Sequence, residues 1–388
     1  MILSTWVAPQ DSILSHDYVG RDFFIVRRMK ECLFYPRTGE AGQRFKKKKI
    51  LHSIKIKKRR KKMKKILCMI MVMAMTLSMA ACGSSGDAEG NGDVPVIGIN
   101  QYGEHSSLDN CREGFIQGLK DAGLVEGTDF EIEYQNAGFD DNISAQISQN
   151  FSANNVALMC GIATPSAMAC FTAAEDKDIP VIFTAITDPK AAGLTEGNVT
   201  GTSDKLPIEA QLELIRKIQP DAKTIGIVYT TSEPNSVSAI AEYQEKAGDY
   251  GFTIEAAGVT AQAEVTQAVD TLIKKGVDCF SNLTDNNVVG VLPSVLEKTD
   301  AAGIPVYGSE IEQVVKGCVA SAGIDYVELG KQTGAMAAKI LKGEAKASEM
   351  EYETITDYSI YINSKALEAL SIEIPQDVKD GAVETSEE

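Results

Sequence analysis

The motifs that carry chemistry in α/β proteins are missing from this chain. It has no GxSxG nucleophile elbow, no GxGxxG turn, no Walker A loop and no HExxH pair. That removes the common hydrolase, dinucleotide, nucleotide and zinc-peptidase mechanisms. Histidine is scarce: of three, only His105 follows Met63, too few for a His-rich metal site there. Eight cysteines form no CxxC pair, and five of them follow Cys82, an odd number that argues against a full disulfide framework. Cys160, Cys170 and Cys279 sit in apolar runs and read as small buried hydrophobes. Nothing in the sequence implies a cofactor.

Basic residues are scarce over most of the length. Of 38 Lys and Arg and 54 Asp and Glu, residues 1–62 hold 17 and 5, and residues 82–388 hold 19 and 49, a net of −30. A body this acidic repels nucleic acid and anionic headgroups, and nucleic acid is excluded as a partner. Simple solubility accounts for most of the charge.

Long apolar runs are also rare. The clearest, Ile66–Met79, follows Lys64-Lys65 and leads to Ala80-Ala81-Cys82. Residues 63–81 read as a secretory signal peptide: the run is short for a membrane span, and Gly and Ser follow it. The cysteine behind small residues resembles a bacterial lipobox, although Met79 stands where Leu is usual. That resemblance implies lipidation of Cys82 and stable membrane attachment by its acyl chains. Residues 82–93, rich in Gly, Ser and acids, read as a flexible tether. Residues 1–62 precede a complete signal peptide and end in Lys-rich, low-complexity sequence. We expect them to be upstream DNA read through from a misplaced start codon, since Arg59-Arg60 can be encoded by AGGAGG, a purine-rich ribosome-binding sequence. Peptides from the cell beginning before Met63 would refute this.

From Val94 onward, short apolar strands alternate with amphipathic helices. Strands are expected at Val94–Asn100, Val156–Gly161, Val181–Ala185, Thr224–Tyr229 and Cys279–Asn282, and helices at Leu108–Ala122, Pro165–Ala174, Asn235–Tyr250 and Asn287–Ala302. Two runs of such units predict an α/β protein with two doubly wound, Rossmann-like lobes, a hinge and an interlobe ligand cleft. Residues 94–204 plus 317–350 are expected to form lobe 1, and residues 205–316 plus 351–388 lobe 2.

Several segments resemble a known family. HSSLDNCREGFIQGL at 105–119, GIATPSAM at 161–168 and PVIFTAITDPKAAGL at 180–194 match it, as do NVTGTSD at 198–204 and the stretch 211–236 ending TTSEPNS, with DN at 285–286 and PVYGSE at 305–310. The family is the ABC-transporter substrate-binding lipoproteins of the tryptophan/tyrosine type, with a type I periplasmic-binding-protein fold. The resemblance covers roughly Val94 to the C-terminus. It implies a receptor outside the cytoplasm, anchored to the membrane, serving an ABC permease and its ATPase, with an aromatic amino acid as ligand.

The loops after the strands are where such a ligand is held. Thr164 and Ser166 open one helix, and Ser232, Asn235 and Ser236 another; hydroxyls and first-turn N–H groups there suit a carboxylate. Asp285, beside Asn286, suits an ammonium group. Thr187, Asp188 and Glu310 fall on the same cleft, and Tyr102 can stack on a ring. Taken singly, Thr164 and Asn235 read as helix caps, Asp188 as a turn former, Asp285 as a loop acid and Tyr102 as core.

An enzyme is disfavoured by the missing motifs. A transcription regulator on the same fold is disfavoured by the signal peptide. A receptor for a sugar, nucleoside or branched-chain amino acid, or a sensory role, stays open. The one Trp, Trp6, lies outside the lobes, a mild point against a sugar stacked on indole.

Overall fold

A computed structural model describes residues 94–385. The readings made for residues 1–62, for the signal peptide, for Cys82 and for the tether lie outside the described residues. No helix among the described residues is long and apolar enough to cross a membrane.

Lobe 1 opens with β1 (Val96–Gln101), α1 (Ser106–Asp121), β2 (Glu131–Asn136), α2 (Asp141–Asn154), β3 (Leu158–Ile162), α3 (Thr164–Ala174), β4 (Val181–Thr184) and β5 (Val199–Ser203). Lobe 2 follows with α4 (Ile208–Ile218), β6 (Thr224–Thr230), α5 (Pro234–Lys246), β7 (Thr253–Val259), α6 (Val265–Lys275), β8 (Cys279–Ser281), α7 (Asn286–Gly290), α8 (Leu292–Ala301), β9 (Val306–Tyr307), α9 (Ile311–Val315) and β10 (Ala320–Gly323). The chain then returns through α10 (Tyr326–Leu341), β11 (Glu353–Thr354), β12 (Ser359–Ile362), α11 (Ser364–Ala369), α12 (Gln376–Gly381) and β13 (Ala382–Glu384).

The two sheets share one plan. The first runs β11-β5-β4-β3-β1-β2 and is parallel throughout; the second runs β13-β12-β10-β9-β8-β6-β7, with β12 antiparallel to β10. In each, the second strand in sequence lies outside the first and the third lies on its other side. The order therefore reverses between β1 and β3, and again between β6 and β8. Such switch points open a crevice beyond the carboxyl ends of the strands. Strands β3 and β4 are buried along their whole length, which is why they read as apolar runs rather than alternating ones.

The late chain returns differ from expectation. Segment 317–323 does not join lobe 1: β10 pairs with β9 and β12 in the second sheet. The stretch 351–388, expected in lobe 2, divides: β11 lies beside β5 in the first sheet, and β12 lies in the second. Strands this short carry no signal of which sheet they extend. The helix expected over Asn287–Ala302 breaks at Val291, where Pro293 opens α8.

Helix α10 belongs to lobe 1 because it lies backbone to backbone on α1. A Cβ added at Gly118 would fall 2.2 Å from the Lys331 carbonyl oxygen, and one at Gly330 2.1 Å from that of Cys111. Side chains larger than hydrogen would push the helices apart. The five cysteines among the described residues, Cys111, Cys160, Cys170, Cys279 and Cys318, are all buried and unpaired.

Candidate binding cleft

The loops leaving β2, β3 and β4 are strained. Phe139 (φ 64°), Ala163 (φ 75°) and Ala185 (φ 58°) hold left-handed backbone that side-chain-bearing residues avoid. Such strain persists only where surrounding structure enforces it, and it gathers at ligand sites. The Phe139 ring lies parallel to His105 (centroids 6.4 Å, 6°) and edge-on to Tyr102 (6.0 Å, 89°). Its far edge approaches Gly290 of lobe 2, where an added Cβ would be 3.2 Å away. The three rings thus pack together in the loops after β1 and β2, and Tyr102 among them lines a cavity.

Orphaned polar atoms mark the same loops. Seven buried side-chain atoms among the described residues have no hydrogen-bond partner, and five lie at strand carboxyl ends: His105 Nδ1, Thr164 Oγ1, Asn235 Oδ1, Asn282 Nδ2 and Glu310 Oε2. An unpaired buried polar atom costs about 1–3 kcal/mol, so a cluster of them signals a missing partner. The cavity, of about 530 Å³ and within the usual range for small-ligand sites, runs along α2 and α3 of lobe 1 to residues 232–234, where α5 of lobe 2 begins. Tyr102, Pro165, Met168, Ser232, Glu233 and Pro234 line it.

The residues singled out in the sequence divide into three groups. Thr164 and Asn235 stand ready, each with an unpartnered oxygen. Thr164 is the first residue of α3 and not its cap; Ala163 takes that position, which frees the Thr164 hydroxyl. Tyr102 and Ser232 line the cavity, with Tyr102 Oη donating to Asp141 Oδ1 at 2.9 Å.

A second group joins the lobes. Thr187 Oγ1 meets Thr284 Oγ1 at 3.0 Å, Ser238 Oγ donates to Asp188 Oδ2 at 2.5 Å, and Asn286 Oδ1 lies 3.5 Å from His105 Nε2. Ser107 Oγ donates to Glu310 Oε1 at 2.5 Å, and Asn110 Nδ2 to Glu312 Oε1 at 2.7 Å.

The third group faces inward. Ser166 Oγ donates to Asn100 Oδ1 at 3.1 Å and meets Ser144 Oγ at 3.0 Å, which locks α2 and α3 to β1. Asp285 does not present a free carboxylate. Oδ1 accepts from Thr230 Oγ1 (2.9 Å) and Val288 N (3.0 Å), and Oδ2 from Thr230 N (2.5 Å) and Ser236 Oγ (2.7 Å). It caps α7 and fastens it to β6 and α5.

The acid with room to act was not singled out in the sequence: Glu233, the residue before α5. It is buried, with Oε2 accepting from Asn235 Nδ2 (3.0 Å), Asn286 N (3.2 Å) and Asn286 Nδ2 (2.7 Å), and Oε1 from Asn287 Nδ2 (3.1 Å). Burial, and then the Asp285 charge, push its carboxyl up to about 8. Burial pulls His105 down to about 4, so its ring is neutral at physiological pH. The available signal for Glu233 was its place immediately before a Pro-initiated helix, at the mouth of a strand loop.

The fold and this cleft define a two-lobed solute receptor of the type I periplasmic-binding-protein class. The family model for ABC transporter substrate binding proteins matches residues 96–386. The chain belongs to that family. It is 38% identical to the tyrosine-binding protein of Clostridioides difficile (strain R20291) over 283 residues, 71% of this chain and 81% of that one. Among solved structures it is similar to an ABC domain in complex with L-Trp from Streptococcus pneumonia, with 34% identity, coverage of 75% and 99%, and a TM-score of 0.72. It is also similar to a ligand-free, open substrate binding protein with adhesive properties from Clostridium difficile, with 38% identity, coverage of 75% and 100%, and a TM-score of 0.57. The chain resembles the open structure more in sequence and the tryptophan-bound one more in shape. That contrast, with five direct bonds between lobes, describes a closed arrangement.

Proposed function

We propose that this protein captures an aromatic amino acid, tyrosine or tryptophan foremost, and delivers it to an ABC permease and its ATPase as a receptor lipid-anchored through Cys82 outside the cytoplasmic membrane. The observation that carries the ligand reading is the pairing of orphaned polar atoms with an aromatic ring. Thr164 Oγ1 on lobe 1 and Asn235 Oδ1 on lobe 2 are unpartnered at two helix N-termini, while Tyr102, packed with Phe139, lines the cavity. The names of the relatives, one a tyrosine-binding protein and one solved with L-Trp, support the same class.

The mechanism is binding without chemistry. An open form admits the ligand, the lobes close on it, and the permease reads the closed form; closure is driven only by contacts that the open form lacks.

The test is calorimetric titration of the purified protein with amino acids, sugars and nucleosides. One-to-one binding of tyrosine or tryptophan is the expected result. Binding of a sugar or nucleoside instead would keep the fold and sink the ligand assignment. For the anchor, labelled fatty acid should enter the wild-type protein and not Cys82→Ser; equal labelling would refute lipidation there.

A further inference from the structure

The buried acids around the cleft have hydrogen-bond donors but no cation paired with them. Asp204, Glu233, Asp285, Glu310 and Glu312 are buried, and none belongs to any of the ten ion pairs among the described residues. Taking a carboxylate out of water without a counter-charge is costly. A carboxylate offers about four acceptor sites. Asp285 has spent all four on groups of its own lobe. Glu233 Oε1 has one partner and keeps a site open.

The neighbouring amides sharpen this. Asn235 Nδ2 donates to Glu233 Oε2 and to the Thr284 carbonyl at 3.0 Å each. The Thr284 carbonyl can only accept, so the amide cannot be flipped, and its unpartnered atom is the oxygen. Asn286 Nδ2 also donates to Glu233, which turns its oxygen toward His105 Nε2. That fixes the proton on Nε2 and leaves His105 Nδ1 a bare acceptor. The open positions around Glu233, namely its own Oε1, Asn235 Oδ1 and His105 Nδ1, therefore present lone pairs to a donor. The cavity wall agrees, since Asp141, Asp176 and Glu233 line it with no Lys or Arg.

We propose that Glu233 Oε1 and Asn235 Oδ1 together form the ammonium half of the site, with the ligand's carboxylate facing Thr164 at the N-terminus of α3. The ammonium seat thus falls to Glu233 and not to Asp285. This rests on the amino-acid reading and adds an orientation, ammonium to lobe 2 and carboxylate to lobe 1. It also sets a requirement: the ligand carries a free primary ammonium, so N-acyl amino acids and α-hydroxy acids are rejected.

A linked proton follows. Facing Glu233 are Asp285 from the β8 loop, Tyr102 from the β1 loop and, through Asn286, the neutral His105. None supplies a positive charge. With its carboxyl near 8, Glu233 holds a proton at neutral pH when the closed cleft is empty. The ammonium displaces it.

The test uses the purified full-length protein and whichever of tyrosine or tryptophan binds it, beside that ligand's N-acetyl and α-hydroxy-acid analogues. Wild type should bind the amino acid at least about 30-fold more tightly than either analogue. Glu233→Gln, matched to wild type in melting temperature, should lose about 30-fold for the amino acid and bring it level with the hydroxy acid. Titration at pH 7 in buffers of different ionisation heat should show proton release by wild type and none by Glu233→Gln. Equal wild-type binding of the hydroxy acid, or undiminished discrimination by Glu233→Gln, would overturn the assignment while leaving the amino-acid reading intact. A protein that binds no amino acid at all would overturn both.

Discussion

Thr164 has a buried hydroxyl with nothing to bond. Its backbone role and its side-chain role come apart, because Ala163 takes the cap position in a strained conformation (φ 75°). Valine has nearly the same shape without the hydroxyl. Thr164→Val should therefore stabilise the ligand-free protein by about 1 kcal/mol, by removing an unsatisfied group. The same change should weaken ligand binding about tenfold, by removing a donor to the carboxylate. Thermal melting and titration of one variant should move in opposite directions; if both fall, Thr164 is a structural residue. Residue-level legibility follows the same divide. Thr164 and Asn235 were visible because residues that open helices follow a strong local grammar. Asp285 looked like a free loop acid because nothing local shows that Thr230 and Ser236 converge on it from other elements. Glu233 was overlooked for the converse reason: its worth comes from three asparagines, two of which lie more than fifty residues away.

Among elements, the pair α1 and α10 does most to hold the molecule's topology. Gly114 and Gly118 on one helix and Gly330 and Gly334 on the other bring backbone atoms into contact. The spacing of four places each pair on one helix face. This contact draws the returning chain back to lobe 1 after β10 has finished the parallel run of lobe 2. Gly330→Val would drive a side chain into the Cys111 carbonyl and the Phe115 amide. A loss of about 3 kcal/mol or more is expected, read as a drop in the urea midpoint. Val125→Ala, at an exposed site, should change little and serves as the control. A variant as stable as wild type would mean that the helices can separate without cost. The long helices were legible because burial repeats along them with a fixed period, and the central strands because continuous burial makes them short apolar runs. Strands β10 and β11 were misplaced because two to four residues hold too little pattern to name a sheet.

The whole molecule is held closed partly by buried acids. Glu310, at the cap of α9, and Glu312, in its first turn, receive Ser107 and Asn110 from the start of α1, so each joins lobe 2 to lobe 1. One oxygen of each carboxylate has no partner. Burial, and then Glu312, hold Glu310 well above the ordinary range, and burial raises Glu312 as well. Asp325 at the N-terminus of α10 adds negative charge beside them. Opening the lobes would return both acids toward water and toward ordinary carboxyl behaviour. The closed form then binds more protons than the open one, so its stability is full below the ordinary carboxyl pKa and is lost as pH rises toward the raised one. The empty receptor should be more closed at pH 5 than at pH 8, with a smaller radius of gyration by small-angle scattering. Glu310→Gln imitates the protonated acid, keeps an acceptor for Ser107, and should hold the empty protein closed at pH 8. Ligand binding has the opposite pH dependence at Glu233, where a cation replaces a proton, so the two acidic sites separate experimentally. Scattering curves that superimpose at both pH values, for wild type and Glu310→Gln alike, would show that closure does not depend on this pair.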